Sequence, residues 1–281
     1  LSADLAIRYA YADTRMWSNQ LPLAIKVKVD PMRLYVTCHQ CLNDSEAPGS
    51  VAVFAKVIYN ESGIYPYTCL KGHQGCTILQ SFKYEVLSEV GFTALALENT
   101  FEAVAAFHAA LERFYHFGIE MALAYTGNLE KAEGIRSALG KSSEREFGAY
   151  VLASVIAFGT VPPVLNSNLR GFRNNVVHNG QIPTMDEAIK EGVNTTNVIR
   201  EGVGIIRRHA HSLAAERLMD QVRERMQAAR NQGFTPEGPY IGKSFASPVF
   251  NSSEAHDLNF EDYLEQTRKH HRLISSTFYP G

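Results

Sequence analysis

The sequence predicts an α+β chain: a small β-rich N-terminal part followed by an all-helical bundle. Three observations carry this expectation. All four cysteines of the 281 residues fall between Cys38 and Cys76. Before about residue 80 the apolar residues alternate or run in short blocks, whereas after it they recur every three to four positions. Beyond Gly233 the chain turns rich in Pro, Gly and Ser. The boundaries that follow are 1–80 for the β-rich segment, 81–232 for the helical bundle and 233–281 for a C-terminal extension with a short helix.

Composition narrows the classes of function. Hydrophobic residues make up 45% and charged residues 20%, as in ordinary globular proteins, and the formal net charge is -2. Nucleic acid, if bound, must therefore meet a local basic patch, since the chain as a whole is no polycation. No apolar run approaches the roughly 18 residues needed to cross a bilayer, and Asp4 and Arg8 interrupt any signal-peptide core in Leu1–Tyr11. A soluble, cytoplasmic protein without membrane contact is expected.

In chain order, strands are expected at Leu23–Val29, Arg33–Thr37 and Val51–Tyr59, separated by turn-forming stretches at Asn43–Ser50 and Asn60–Gly63. A helix follows on the stripe Phe82, Val86, Val90, Ala94 and Leu97. A second is opened by the capping pair Asn99 and Glu102 and runs past Ile119. A third short helix covers Asn128–Leu139, and a fourth starts at Ser143 and ends before Pro162 and Pro163. The segment Asn166–His178, closed by Gly180, reads as a short helix. Thr184 with Glu187 opens a long one toward Arg230, and a last helix is expected at Phe260–Ile274.

The cysteines form two knuckles, Cys38-x-x-Cys41 and, 28 residues on, Cys69 with His73 and Cys76. Close pairing in a chain without secretory signals points to metal binding before disulfides. Two knuckles on adjacent β-hairpins, two ligands each, would make a tetrahedral site for a structural Zn2+, with no open position for catalysis. Cys38, Cys41, Cys69 and His73 give the compact set and are the preferred ligands, with Cys76 in place of His73 as the wider, all-sulfur alternative. Four buried free thiols or a reducible disulfide are the plainer reading of the same residues. His39, inside the first knuckle, is expected to point outward.

The segment Arg173-Asn174-Asn175-Val176-Val177-His178 lies late in the helical array, on a short helix, before Pro183 and an acidic capping box. An Arg-x4-His spacing alone carries no signal: 17 Arg and 10 His predict about 0.6 occurrences by chance. With this setting the segment resembles the HEPN domain, whose signature is an Arg-polar-x3-His segment near the start of a late helix, over about residues 81–232. The resemblance implies a metal-independent endoribonuclease with Arg173, Asn174 and His178 as its active residues. It also implies a homodimer in which two motif helices face each other, with Phe172, Val176 and Val177 covered by the partner helix. Family members act in toxin–antitoxin systems, antiphage defence and RNA processing, so RNA is the expected substrate and an antitoxin or regulatory protein a possible partner. One family branch carries a Tyr two residues after the His as a modification target. Here that position is Gly180, so this form of control is not expected.

The chemistry points the same way. Cleaving RNA through its own 2′-hydroxyl needs a proton acceptor, a proton donor and a cation for the phosphorane; His supplies proton transfer and Arg a fixed fork of donors. Arg173 and His178 lie roughly 140° apart around a helix axis, so one copy is expected to aim them imperfectly and two copies to surround one phosphate. The competing expectation is a catalytically silent module that binds RNA or protein. Elsewhere, His108 and His116 are expected in a core or interface, with Glu112 and Glu120 on the same helix. Arg207, Arg208, His209 and His211 form a basic stretch, and His270 and His271 close the last helix.

Overall fold

The structure is a computed structural model that describes residues 33–43, 54–140, 142–240, 245–249 and 258–278. The strand expected at Leu23–Val29 lies outside these residues. From Leu34 to Gly281 the chain forms one compact unit, and of the preceding unit, Leu1–Arg33, only Arg33 is described.

The architecture is α+β. Strands β1 (Arg33–Thr37) and β2 (Phe54–Ile58) pair as one small sheet, and helix α1 (His39–Asn43) follows β1 directly. A second sheet pairs β3 (Ile64–Thr68) antiparallel with β4 (Gln74–Leu79), in register from Ile64 opposite Ile78 to Thr68 opposite Gln74. Its other edge is β5 (Gly238–Tyr240), which joins β4 in parallel some 160 residues later, Thr77 opposite Gly238 and Leu79 opposite Tyr240. β3, β4 and β5 had no counterpart among the expected strands. Short segments bounded by Gly and Pro carry too little alternation to be read.

Helices dominate the rest. In chain order they are α2 (Lys83–Ala96), α3 (Thr100–Tyr125), a 3₁₀ turn leading into α4 (Ala132–Leu139), α5 (Ser143–Phe158), α6 (Ser167–Asn179), α7 (Met185–Asn231) and α8 (Phe260–Phe278). The caps sit where the sequence puts them. The Asn99 side chain accepts from the Glu102 N–H, and Thr184 with Glu187 completes a reciprocal capping box. α7 is interrupted at Ala210, where the backbone leaves helical geometry between His209 and His211.

α3 is the axis of the bundle. Its apolar faces supply Phe114, Phe117 and Met121 to one core, with Phe82, Tyr84, Tyr150 and Ile206, and Val104 and Phe107 to another, with Phe92, Phe245, Phe260 and Tyr263. Neighbouring helices come close because glycine stands at the crossings. A Cβ on Gly118 would lie 2.4 Å from the Tyr150 ring, and one on Gly202 2.5 Å from Phe114 and 2.8 Å from the Tyr150 hydroxyl. The C-terminal segment belongs to the same packing, since the Phe260 and Tyr263 rings of α8 pack at a tilt against Phe92 of α2. No helix among the described residues is long and apolar enough to cross a membrane.

Candidate functional site

Two groups of side chains stand out. The first gathers Cys38, Cys41, Cys69 and His73, whose ligand atoms all lie within 4.8 Å of one another. Cys41 Sγ is 3.7 Å from Cys69 Sγ and 3.2 Å from His73 Nδ1, and Cys38 Sγ is 3.7 Å from the same Nδ1. These four residues could hold one metal ion.

The two knuckles are built differently. The expectation of two hairpins is corrected at the first, where Cys41 lies on the short helix α1. The reason is visible in the backbone: the Cys41 N–H points to Cys38 Sγ at 3.5 Å, so Cys38 takes the place of an N-cap oxygen three residues before it. The second knuckle is the β3–β4 hairpin loop. The Cys69 N–H donates to the His73 carbonyl and the Gly72 N–H to the Cys69 carbonyl, each at 2.9 Å. Gly72 adopts φ +85°, a conformation that L side chains rarely take.

Electrostatics separate the thiols. Burial pushes Cys41 up to about 12, and its hydrogen bonds to Cys38 and Cys69 add to the rise. For Cys69 burial also acts upward, but hydrogen bonds from the backbone N–H groups of Lys71 and His73, with those of Cys41 and Cys38, outweigh it and hold the thiol below its usual value. The shift favours the thiolate form at Cys69 over Cys41. Three thiolates together would repel one another unless a cation lay between them.

Cys76 stands outside this group. Its sulfur is buried beside Ile64, Ile78, Val222 and Ala229, and burial, then the Glu237 carboxylate, push its thiol up. Of the two sets the sequence left open, the structure brings together the one with His73. His39 is half-buried and apart from the cluster, its N–H pointing to the Tyr67 hydroxyl at 3.4 Å.

The second group runs along α3. His108, Glu112, His116 and Glu120 are spaced four apart, so each step turns the side chain about 40° around the axis. That drift carries the row past several neighbouring helices. His108 Nε2 meets Glu191 Oε1 of α7 at 2.6 Å, and Glu112 Oε1 accepts from Arg173 Nη2 of α6 at 2.9 Å. His116 Nε2 lies 2.7 Å from Glu146 Oε1 of α5, and Glu120 Oε1 accepts from Arg217 Nε of α7 at 2.9 Å.

Arg173, Asn174 and His178 sit on α6 as the sequence places them, and the structure brings them together. Arg173 Nη1 is 3.2 Å from His178 Nε2 and 3.1 Å from Asn174 Oδ1. The angular separation of Arg173 and His178 is bridged by the length of the arginine side chain. Arginine has no acceptor, so His178 Nε2 accepts in this contact and its lone pair faces the guanidinium. The three line a cleft of about 970 Å³ together with Glu112, Arg113 and His116.

Val176, by contrast, is fully buried within the chain's own second core, with Phe172 packed beside it, while Val177 is exposed. The expectation that a partner helix covers all three is corrected: α3 and its neighbours already cover the first two. Of the basic stretch in α7, Arg207 is half-buried and burial lowers its pKa, Arg208 and His211 are exposed, and His209 stacks on Phe158. Burial likewise lowers His271.

Glu112 is the site residue that sequence reasoning did not assign. Its signal was the four-residue spacing of His and Glu on an otherwise apolar helix, but only the position of α6 decides which of Glu112 and Glu120 meets the motif. No family model, no curated protein and no solved structure matches the chain.

Proposed function

We propose that this chain is a metal-independent endoribonuclease of the HEPN type, working through Arg173, Asn174 and His178. The observation that carries the reading is the contact of the Arg173 guanidinium with His178, Asn174 and Glu112 at the wall of one cleft. His178 Nε2, an acceptor in this arrangement, takes the proton of a ribose 2′-hydroxyl. The freed oxygen attacks the adjacent phosphorus, and the bond from phosphorus to the 5′-oxygen breaks. The 5′-oxygen leaves with a proton, giving a 2′,3′-cyclic phosphate and a 5′-hydroxyl. Arg173 moves its fork from His178 onto the equatorial oxygens as charge builds there, and Asn174 orients a phosphate or ribose oxygen. A second copy belongs to this reading. The exposed Val177 and Ile182 beside the motif helix are the surface it would cover.

The Cys/His cluster supports zinc as the ion it would hold. Bond lengths of about 2.3 Å to sulfur and 2.0–2.1 Å to nitrogen give tetrahedral edges of about 3.8 Å between sulfurs and about 3.5 Å between sulfur and nitrogen. The 3.7, 3.7 and 3.2 Å separations lie close to those edges, and all four ligand atoms lie within 4.8 Å of one another. With four protein ligands the ion would hold the knuckles together and leave no position for substrate.

The ion pair of Arg173 with Glu112 favours a second reading, in which the arginine is neutralised and the bundle is a silent binding module. Incubating the purified chain with labelled RNA in excess EDTA decides between them. The enzyme gives cyclic phosphate ends, leaves DNA intact, and slows about 10²–10⁴-fold on His178→Ala. No cleavage by the wild-type chain, or equal cleavage by that variant, would leave only the binding module.

A further inference from the structure

The cleft holds a second histidine whose setting differs from that of its near twin. His108 and His116 both face a buried glutamate, at 2.6 and 2.7 Å. The His108–Glu191 pair is sealed, its side chains 7% and 3% exposed, and makes a formed hydrogen bond. The His116–Glu146 pair has the same chemistry at the cleft wall: Glu146 is 5% exposed, His116 is 17% exposed, and both belong to the lining that holds Arg173 and His178. Here the close contact is not aligned along the N–H. His116 Nε2 and Glu146 Oε2 are both buried without a hydrogen-bond partner, and Arg113 Nη2 stays 3.8 Å from that oxygen. That carboxylate oxygen has the distant charge of Arg113 in place of a hydrogen bond. Catalytic hydrogen bonds are often misaligned until substrate closes the site.

We infer that His116 is a second proton-transfer group of the cleft, the one that protonates the leaving 5′-oxygen, and that Glu146 is its positioning residue. The inference rests on the ribonuclease reading above and names the proton donor that reading leaves open. Nε2 faces the Glu146 carboxylate, so Nδ1 is the ring nitrogen that would exchange a proton with a ligand. The buried carboxylate offsets the charge of the imidazolium that a general acid must carry. The proton balance then closes. His178 takes the 2′-proton, the O2′–P bond forms, the P–O5′ bond breaks, and O5′ receives the proton of His116 Nδ1. Water returns both rings to their starting states.

A leaving group that needs no proton separates this role from a structural one. Wild type and His116→Gln are assayed on an RNA dinucleotide and on a nucleoside 3′-(4-nitrophenyl) phosphate, whose nitrophenolate departs unprotonated. His116→Gln should slow RNA cleavage about 10²–10⁴-fold and stay within about tenfold of wild type on the nitrophenyl ester. His178→Ala should slow both. Glu146→Gln, which keeps the size and removes the charge, should repeat the selective loss, with thermal melts confirming that each variant folds. Cleavage of RNA by His116→Gln at the wild-type rate, or an equal loss on both substrates, overturns the inference while the ribonuclease stands. A wild-type chain inactive on both substrates overturns both.

Discussion

The carboxylate of Glu112 lies 2.9 Å from the guanidinium of Arg173, and 61 residues of chain separate the two. Their side chains are 25% and 21% exposed, so the pair is partly withdrawn from water, where a charge-assisted hydrogen bond is stronger than at the surface. It ties α6 to α3 at the level of the motif and fixes the end of a long side chain. Glu112→Ala should therefore destabilise the chain by about 1–3 kcal/mol and reduce RNA cleavage, because Arg173 then loses its resting position. A double-mutant cycle with Arg173→Ala checks the claim. A coupling free energy below about 0.5 kcal/mol would mark the contact as incidental.

Metal content tests the knuckles. The protein purified without chelator should carry one zinc per chain, and Cys38→Ser, Cys69→Ser and His73→Ala should each lower that content. Cys76→Ser should keep the full equivalent, since its sulfur lies among Ile64, Ile78 and Val222. Loss of zinc from Cys76→Ser, with retention in His73→Ala, would reverse the assignment.

Gly202 offers a packing test. Alanine there would gain the roughly 1 kcal/mol by which it exceeds glycine in a helix. Its Cβ, however, would press within 2.5 Å of the Phe114 ring in the middle of the core. Overpacking of this kind is destabilising by about 1–3 kcal/mol, so Gly202→Ala should lower the melting temperature. Gly148, with nothing within 4 Å of its added Cβ, should accept alanine with a gain.

The start of α7 should respond to acid. The Thr184 N–H and hydroxyl both hydrogen-bond the Glu187 carboxylate and hold its pKa below the ordinary 4.5. A carboxyl whose folded pKa is depressed contributes stability that is present above its unfolded value and is lost as pH falls through the folded one. Melts of wild type and Glu187→Gln should therefore differ at neutral pH and converge as the pH drops below about 4. A difference that persists unchanged into acid would show that the charge has no part in it.

How much was legible varies with the kind of signal. The helices from α2 to α8 were visible because each has a cap or a terminator and a regular apolar period. Thr184 with Glu187 and the Pro162–Pro163 break are local features that act where they stand. The cluster residues were visible as a spacing, and the compactness of Cys69-x3-His73 favoured His73 over Cys76, as the structure has it. His73 lies in the loop before β4, whereas Cys76 lies within the strand, its sulfur among Ile64, Ile78 and Val222. The role of Glu112 depends on where α6 crosses α3, which no local pattern encodes. Val176 was assigned to a partner surface because a short helix alone cannot show that its own bundle covers it.

The parallel pairing of β5 with β4 sets a timetable for the chain as it is made. When Cys38, Cys41, Cys69 and His73 have all been synthesised, the outer edge of β4, from Thr77 to Leu79, still lacks its neighbour. That neighbour is delivered only after the whole of α7, at Gly238–Tyr240. Until then the nascent chain displays an open strand edge, the kind of surface on which foreign strands pair. A product that stops between Gly233 and Glu237 would keep the knuckles and the motif helix and still carry this edge exposed, prone to trade strands with other copies of itself.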